Sequence, residues 1–374
     1  MDKIEFEYGD PSPVYIDERG AFERTSKNFV KILSEVQSMG IIEGLARFDK
    51  EFINMRFRQA QAMANFDSDA SDVVSAKICL DFALNIGDPI DLRIAPAERI
   101  RWLQVGLVVC RQRGRKRDEG IILHGLANAY YAIGEPDRSI EYRSRHLAHS
   151  RAIGDRGGEG LALLGMGAAY VDRGEPRRAI EFYEKSLPIF IELQDRKREG
   201  QVLGSLGIAY ATRGKPRRAI EYFERRLAVA REIGDRRGEA NALVSLGGSH
   251  ADLGERHRGI ELCHESLAIA REMGDRYAES NALGNIGNTY ADLNQPQEAI
   301  NYFQQQRAIV HEIGERRSEA KACNNIGQAL LKLERMAEAL PWLQMHVAYL
   351  REMGHPVAEQ FITQVEKLRL TAKM

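Results

Sequence analysis

The residues best suited to chemistry in this chain are asparagines. Between Glu279 and Phe303, Asn281, Asn285, Asn288 and Asp292 fall on one side of a helix when successive residues turn by about 100°. Leu283, Ile286, Gly287 and Tyr290 fall on the other side and have the composition of a core face. An asparagine amide carries both donors and an acceptor, so a row of them can pair with the backbone of an extended polypeptide whatever its side chains. The bland alternative is that asparagine is tolerated on a wet helix face. Because it is a mediocre helix former, three on one stripe favour a binding purpose.

Copies of this stripe occur along the chain at a spacing of 40 residues. They read Ile121, Gly125, Asn128; then Leu161, Gly165, Ala168, Asp172; then Gln201, Ser205, Ile208, Thr212. Asn241, Ser245, Gly248 and Asp252 precede the asparagine-rich copy, and Lys321, Asn325, Gln328 and Lys332 follow it. The face grades from small and apolar, through amide and acid, to amide and basic. Tyr131 and His124 flank the first copy and can either anchor an apolar side chain or pack against a neighbouring unit. The basic run Arg111, Arg113, Arg115, Lys116, Arg117 sits where a helix C-terminus welcomes positive charge. An acidic partner is its functional alternative. Arg177-Arg178 and Arg217-Arg218, with Glu181 and Glu221 one turn later, read as intrahelical pairs rather than a nucleic-acid track.

Catalytic signatures are missing. There is no GxxxxGK[ST] phosphate loop, and Gly165-Met166-Gly167 lies inside a helical pattern rather than after a strand. His264-Glu265 and His311-Glu312 lack the second histidine of a zinc-binding helix. Cys79, Cys110, Cys263 and Cys323 have no CxxC spacing, and Cys263 and Cys323 stand at core positions. The expectation is a non-enzymatic chain with no catalytic residue, no cofactor and no metal.

The elements that must hold the stripe are paired helices. From about Asp118, small residues recur at Ala127, Gly167, Gly207, Gly247, Gly287 and Gly327. A ring follows at Tyr130, Tyr170, Tyr210, His250 and Tyr290. Gly134, Gly174, Gly214 and Gly254 mark a turn, and Pro136, Pro176, Pro216 and Pro296 open the next helix. That helix carries Ala179, Ala219, Gly259, Ala299 and Ala339, then bulk at Tyr183, Phe223, Cys263, Phe303 and Leu343. Small residues let two helices approach, and the bulky ones fill the space beside them. Gly-Asp-Arg closes units at 154–156, 234–236 and 274–276, with Asp able to cap the following helix.

The remaining chain is less regular. Residues 1–70 read as a polar arm, to about Thr25, followed by irregular helices over 26–40 and 42–65. Residues 71–117 read as a degenerate repeat interrupted by Pro89, 118–357 as six 40-residue repeats, and 358–374 as a terminal capping helix. At 374 residues, with 44% hydrophobic and 29% charged residues, the chain can bury a large core. Lys plus Arg number 53 against 54 for Asp plus Glu, a balance that gives no general attraction to nucleic acid or anionic lipid. No apolar run approaches the ~20 residues of a membrane span. No nucleic-acid partner and no membrane insertion are expected, a cytoplasmic location is the default, and self-association stays open.

Leu203, Leu206-Gly207, Tyr210, Ala219 and Phe223 resemble the tetratricopeptide repeat (TPR) motif, whose usual period is ~34 residues. The longer unit, with its Leu-Gly-Asn first helices and Gly-Asp-Arg links, is similar to the repeats of Pins/LGN adaptors, kinesin light chains and bacterial regulatory TPR proteins. The resemblance covers about residues 118–357. It implies an all-α, right-handed superhelical TPR solenoid of antiparallel helix pairs, with the first helices lining a concave groove. It also implies that asparagines at Asn281, Asn285, Asn288 and Asn325 bind peptide, and that Lys321, Lys332 and Asn324 can clamp a terminal carboxylate. The peptide-binding candidates are Asn128, Tyr131, Asn241, Asn281, Asn285, Asn288, Asp292, Lys321, Asn324, Asn325 and Gln328. The function so implied is a scaffold or adaptor for a protein or peptide partner. A regulatory subunit controlling a separate protease or NTPase, or a receptor for a short signalling peptide, are the alternatives.

Overall fold

The computed structural model describes residues 95–371 and eight isolated positions between 62 and 84. The arm and irregular helices expected over 1–70, and most of the degenerate repeat before residue 95, lie outside the described residues. Two compact units divide the chain at residues 162 and 163.

The first unit contains α1 (Pro96–Gln112), α2 (Lys116–Ala132) and α3 (Pro136–Ile153). The boundary falls within α4 (Arg156–Asp172). Trp102, Leu103 and Leu107 of α1 share a core with Ile122, Leu123 and Leu126 of α2. The basic run after α1 is matched locally: Arg111 Nε lies 2.8 Å from Glu119, and Arg115 Nε 2.5 Å from Asp118.

The second unit continues with α5 (Pro176–Glu192), α6 (Arg196–Thr212), α7 (Pro216–Glu232), α8 (Arg236–Asp252) and α9 (Arg256–Glu272). Then come α10 (Arg276–Asp292), α11 (Pro296–Glu312), α12 (Arg316–Lys332), α13 (Met336–Glu352) and α14 (Ala358–Thr371). Each helix packs on its neighbours in sequence, so the repeat is an antiparallel pair such as α10 and α11. All fourteen of these described elements are helical, and the architecture is an all-α array of antiparallel helix pairs.

The small-and-bulky pattern works as its spacing implies. A Cβ added at Gly287 would fall 2.6 Å from Cε1 of Phe303, itself 2% exposed. Gly207 stands in the same relation to Phe223, and Gly247 to Cys263. Burying each such ring contributes roughly 1.5–3 kcal/mol. The recurring tyrosine stacks on a second ring that the pattern had not singled out: Tyr210 on Tyr222 at 5.4 Å, and Tyr290 on Tyr302 at 5.4 Å.

The turn residue adopts a left-handed conformation, φ +88° at Gly254, where glycine has no Cβ penalty. Asn294 and Glu334 take the same conformation in the units that lack the glycine. In the closing link, Asp195, Asp235 and Asp275 accept hydrogen bonds from the amides of Arg198, Gly238 and Ala278, satisfying orphan donors. The arginine of that link has a role of its own. Arg236 reaches Glu239 (2.6 Å) on its own helix and Glu272 (2.6 Å) on α9 of the same pair, and Glu239 also accepts from Arg231 (2.8 Å) of the preceding pair. Arg276 repeats this with Glu279 and Glu312, and Arg271 of the preceding pair reaches Glu279, so a charged staple centred on the glutamate ties these pairs together.

At the C-terminal end α14 lies on α13. Val365 is buried there, and Phe361 meets His346 edge to face at 5.0 Å.

Candidate functional site

First helices α8, α10 and α12 present their exposed stripes side by side and enclose a cleft of about 400 Å³. From α10 it is lined by Asn285, Asn288 and Asp292, and from α12 by Asn325, Gln328 and Lys332. Gly248 and Asp252 of α8 form the third wall, and Ala251, Ala291, Ala329 and the Phe303 ring form an apolar floor. The spacing explains the convergence: positions three and four apart on a helix share a face, and a 40-residue repeat sets equivalent faces beside each other.

Several of the amides are already oriented. Asn285 Nδ2 donates to the Asn281 carbonyl (2.9 Å), which leaves its Oδ1 turned toward Gly248. Asn325 Nδ2 donates to Asn288 Oδ1 (3.2 Å) across the α10–α12 boundary, and Lys332 Nζ donates to the Ala291 carbonyl (3.2 Å). The cleft therefore offers acceptors at Asn285 and Asn325 and the donor pair of Asn288, held in place by protein contacts. Asp252 and Asp292 add negative charge, and Lys332 adds positive charge.

Not every stripe residue joins this cleft. Asn281 does not line it and acts there only through its carbonyl, which holds the Asn285 amide. Asn241 lines a second cleft, of about 350 Å³, formed by α6, α7 and the start of α8. Lys321 is exposed on α12, and of the carboxylate clamp expected from Lys321, Lys332 and Asn324 only Lys332 lines the cleft. Eleven residues along one helix place the backbones of the two lysines roughly 16 Å apart. Asn324 occupies the position of Gly204 and Gly284, where a Cβ would meet Arg226 and Gln306 of the following helix. That position faces the partner helix, and Asn324 Oδ1 is buried without a hydrogen bond.

In the first unit Asn128 is not a free amide. Its Nδ2 donates to His124 Nε2 (3.0 Å) and its Oδ1 accepts from Arg143 Nη2 (3.2 Å). Arg143 also donates to Ser139, whose hydroxyl donates to the Ala127 carbonyl. His146 is buried beside His124, ring centroids 5.5 Å apart. Burial, followed by the neighbouring His124, lowers its pKa to about 4. This interior polar cluster was missed in the sequence, although a signal was available: Ser139 and Arg143 stand where other units have Ala179 and Tyr183 or Ala219 and Phe223. Tyr131 is exposed on the same helix.

Among the described residues no cluster of three or more His, Cys, Asp or Glu side chains is arranged to hold a metal ion. The four cysteines are buried, and burial pushes the Cys263 thiol up to about 12. Among those residues, too, no helix is long and apolar enough to cross a membrane.

Family models of the tetratricopeptide repeat match residues 118–192, 202–237, 238–312 and 279–352. The chain belongs to the tetratricopeptide repeat proteins. Comparison with curated protein sequences finds no match. Among solved structures, the apo form of RapI aligns with a TM-score of 0.60 at 13% identity, covering 77% of this chain and 99% of RapI. A signal transduction ATPase with numerous domains, which has a tetratricopeptide repeat sensor and comes from Pyrococcus horikoshii, aligns with a TM-score of 0.59 at 15% identity. That alignment covers 96% of this chain and 63% of the ATPase. BtubC from P. vanneervenii aligns at 0.52 and 17% identity, over 59% of this chain and 93% of BtubC. At these identities the likeness is one of fold. It is the solenoid fold of protein–protein interaction scaffolds.

Proposed function

We propose that this TPR protein is a non-enzymatic scaffold that holds an extended segment of a partner protein in the cleft between α8, α10 and α12. The observation that carries the reading is the convergence of Asn285, Asn288, Asp292, Asn325 and Gln328 on one cavity of about 400 Å³. Backbone alternates N–H and C=O groups, and the cleft sets acceptors and donors side by side above an apolar floor. Its volume is in the range of ligand-binding clefts. The amides are held by hydrogen bonds before any ligand arrives, which lowers the ordering cost of binding.

The test is affinity capture with the full chain in a lysate of the source organism, followed by mass spectrometry and quantitative binding of the partner recovered. Removing two amides, each bond contributing about 0.5–1.5 kcal/mol, in Asn285→Ala with Asn288→Ala should weaken that partner by about 10-fold or more. The melting transition should stay nearly unchanged, because both side chains lie at the surface of the cleft. Wild-type affinity in the double variant would remove the groove from the reading. A regulatory form of the same function, parallel to the sensor repeats of the Pyrococcus horikoshii ATPase, adds one outcome: a captured enzyme changes activity when released.

A further inference from the structure

The second cleft, formed by α6, α7 and the start of α8, has an unbalanced charge. Arg196, Lys197, Arg226 and Arg237 line it against one carboxylate, Asp235. Two of these cations are neutralised nearby. Arg196 bridges Glu199 and Glu232, and Arg237 Nε lies 2.9 Å from Asp275. Asp235 is engaged as the cap of α8, accepting from the Gly238 amide at 2.9 Å.

Arg226 is different. It stands at the position that carries Ser186, Ser266 and Gln306 in other units, and Ser266 there donates to the Ala240 carbonyl. Its guanidinium lies across α6 at Gly204, where an added Cβ would fall 2.8 Å from Nη1. The missing side chain at Gly204 is what makes room for it. Among the described residues no hydrogen bond or ion pair to Arg226 is formed, and burial, against the attraction of Asp235, pulls its pKa below the usual arginine value. A partly buried guanidinium whose one charged neighbour, Asp235, makes no direct ion pair with it is incompletely balanced, and the fold accepts serine at this position.

We propose that this cleft is a carboxylate subsite in which Arg226 receives an acidic side chain of the bound polypeptide, with Lys197 at the mouth. The polypeptide part rests on the groove reading above, because Gln201 and Asn241, which line this cleft, belong to the same stripe as the asparagines of α10. With Arg196 and Arg237 already paired and Asp235 alongside, one excess positive charge remains, which matches a single carboxylate rather than a dianionic phosphate. The planar guanidinium fork fits that group with two parallel hydrogen bonds.

Two measurements on the full chain test this. Exchanging chloride for acetate at constant ionic strength should raise the Tm of the wild type by about 1–2 °C and leave Arg226→Met unmoved. Labelled heptapeptides that differ only in a central Glu or Gln should bind the wild type about 10-fold apart, and Arg226→Met should abolish the difference. In the absence of acetate, Arg226→Met should melt at or above the wild-type temperature, since an apolar side chain replaces a partly buried, incompletely balanced charge. An equal acetate response in the two proteins, a Glu preference that survives the substitution, or a variant melting several degrees lower would overturn the assignment. If neither heptapeptide binds, the acetate comparison decides alone. The Asn285→Ala/Asn288→Ala protein should keep its acetate shift, so failure of the groove reading shows there as unchanged partner affinity while the anion readout stays intact.

Discussion

Glu239→Gln isolates the charge of the staple that joins successive helix pairs. The Glu239 side chain is 10% exposed and accepts from Arg231 Nε at 2.8 Å and Arg236 Nη1 at 2.6 Å. Two charge-assisted bonds would suggest several kcal/mol, but both arginines are about half exposed and regain water when the carboxylate is lost. Arg236 also keeps Glu272, and glutamine can still accept one bond. After that discount the expected loss at neutral pH is about 1–2 kcal/mol, a fall in urea midpoint of about 0.3–0.7 M. The pH dependence gives the sharper test. Burial by itself would raise the Glu239 pKa, but the hydrogen bonds from Arg231 and Arg236 outweigh it and hold the carboxyl below its ordinary value. A carboxyl with a depressed folded-state pKa contributes fully above its unfolded pKa and loses that contribution as pH falls through the folded value. Wild type and Glu239→Gln should therefore differ at pH 7 and converge as the pH falls below the ordinary glutamate range and through the depressed folded value, read by circular dichroism in urea at each pH. A gap of the same size at both ends would refute the electrostatic account. Glu261→Gln, which removes an exposed pair with Arg258, should barely move the midpoint at any pH.

Three further outcomes can be checked with the same material. Gly287→Ala forces a Cβ to within 2.6 Å of the buried Phe303 ring and should cost about 1–3 kcal/mol by chemical denaturation. His146, with burial lowering its pKa to about 4, is neutral when folded and faces His124, His149, Arg143 and Asp155. The unfolded chain binds its proton first, so stability should fall as pH drops from about 6.5 toward 4, by up to roughly 3 kcal/mol. His146→Gln should flatten that slope between about pH 6.5 and 5, above the carboxylate range. Cys263, its thiol pushed up to about 12 by burial, should resist iodoacetamide at pH 8 in the native protein and react only on unfolding.

The repeat was legible because the fold asks the same thing of the same positions many times. Gly287 beside Phe303, the αL turn at Gly254 and the capping Asp235 each satisfy a local or near-neighbour requirement that recurs every 40 residues. The helical stripe of Asn285, Asn288 and Asp292 was legible for the same reason, since face membership follows from helical spacing alone. Asn128 and Asn324 show where that reasoning stopped. Asn128 fits the polar stripe by spacing and Asn324 was expected in a carboxylate clamp, yet Asn128 is bonded to His124 and Arg143, and Asn324 is turned toward the next helix. Whether an amide faces solvent or a neighbour depends on the side chain opposite, and that residue lies fifteen or more positions away.

By itself the sequence determined the helix pairs, their turns and caps, the ring-on-glycine core and the face on which candidate ligating groups stand. These follow from interactions within a turn or two of helix, or from a period the chain repeats. Only the tertiary structure decided which groups meet. It brought Asn325 to Asn288, tied Arg236 to Glu272, and set Arg226 over Gly204 near Asp235. Those outcomes turn on side-chain length and on how helices cross, where a shift of a few ångströms separates a hydrogen bond from an open cleft.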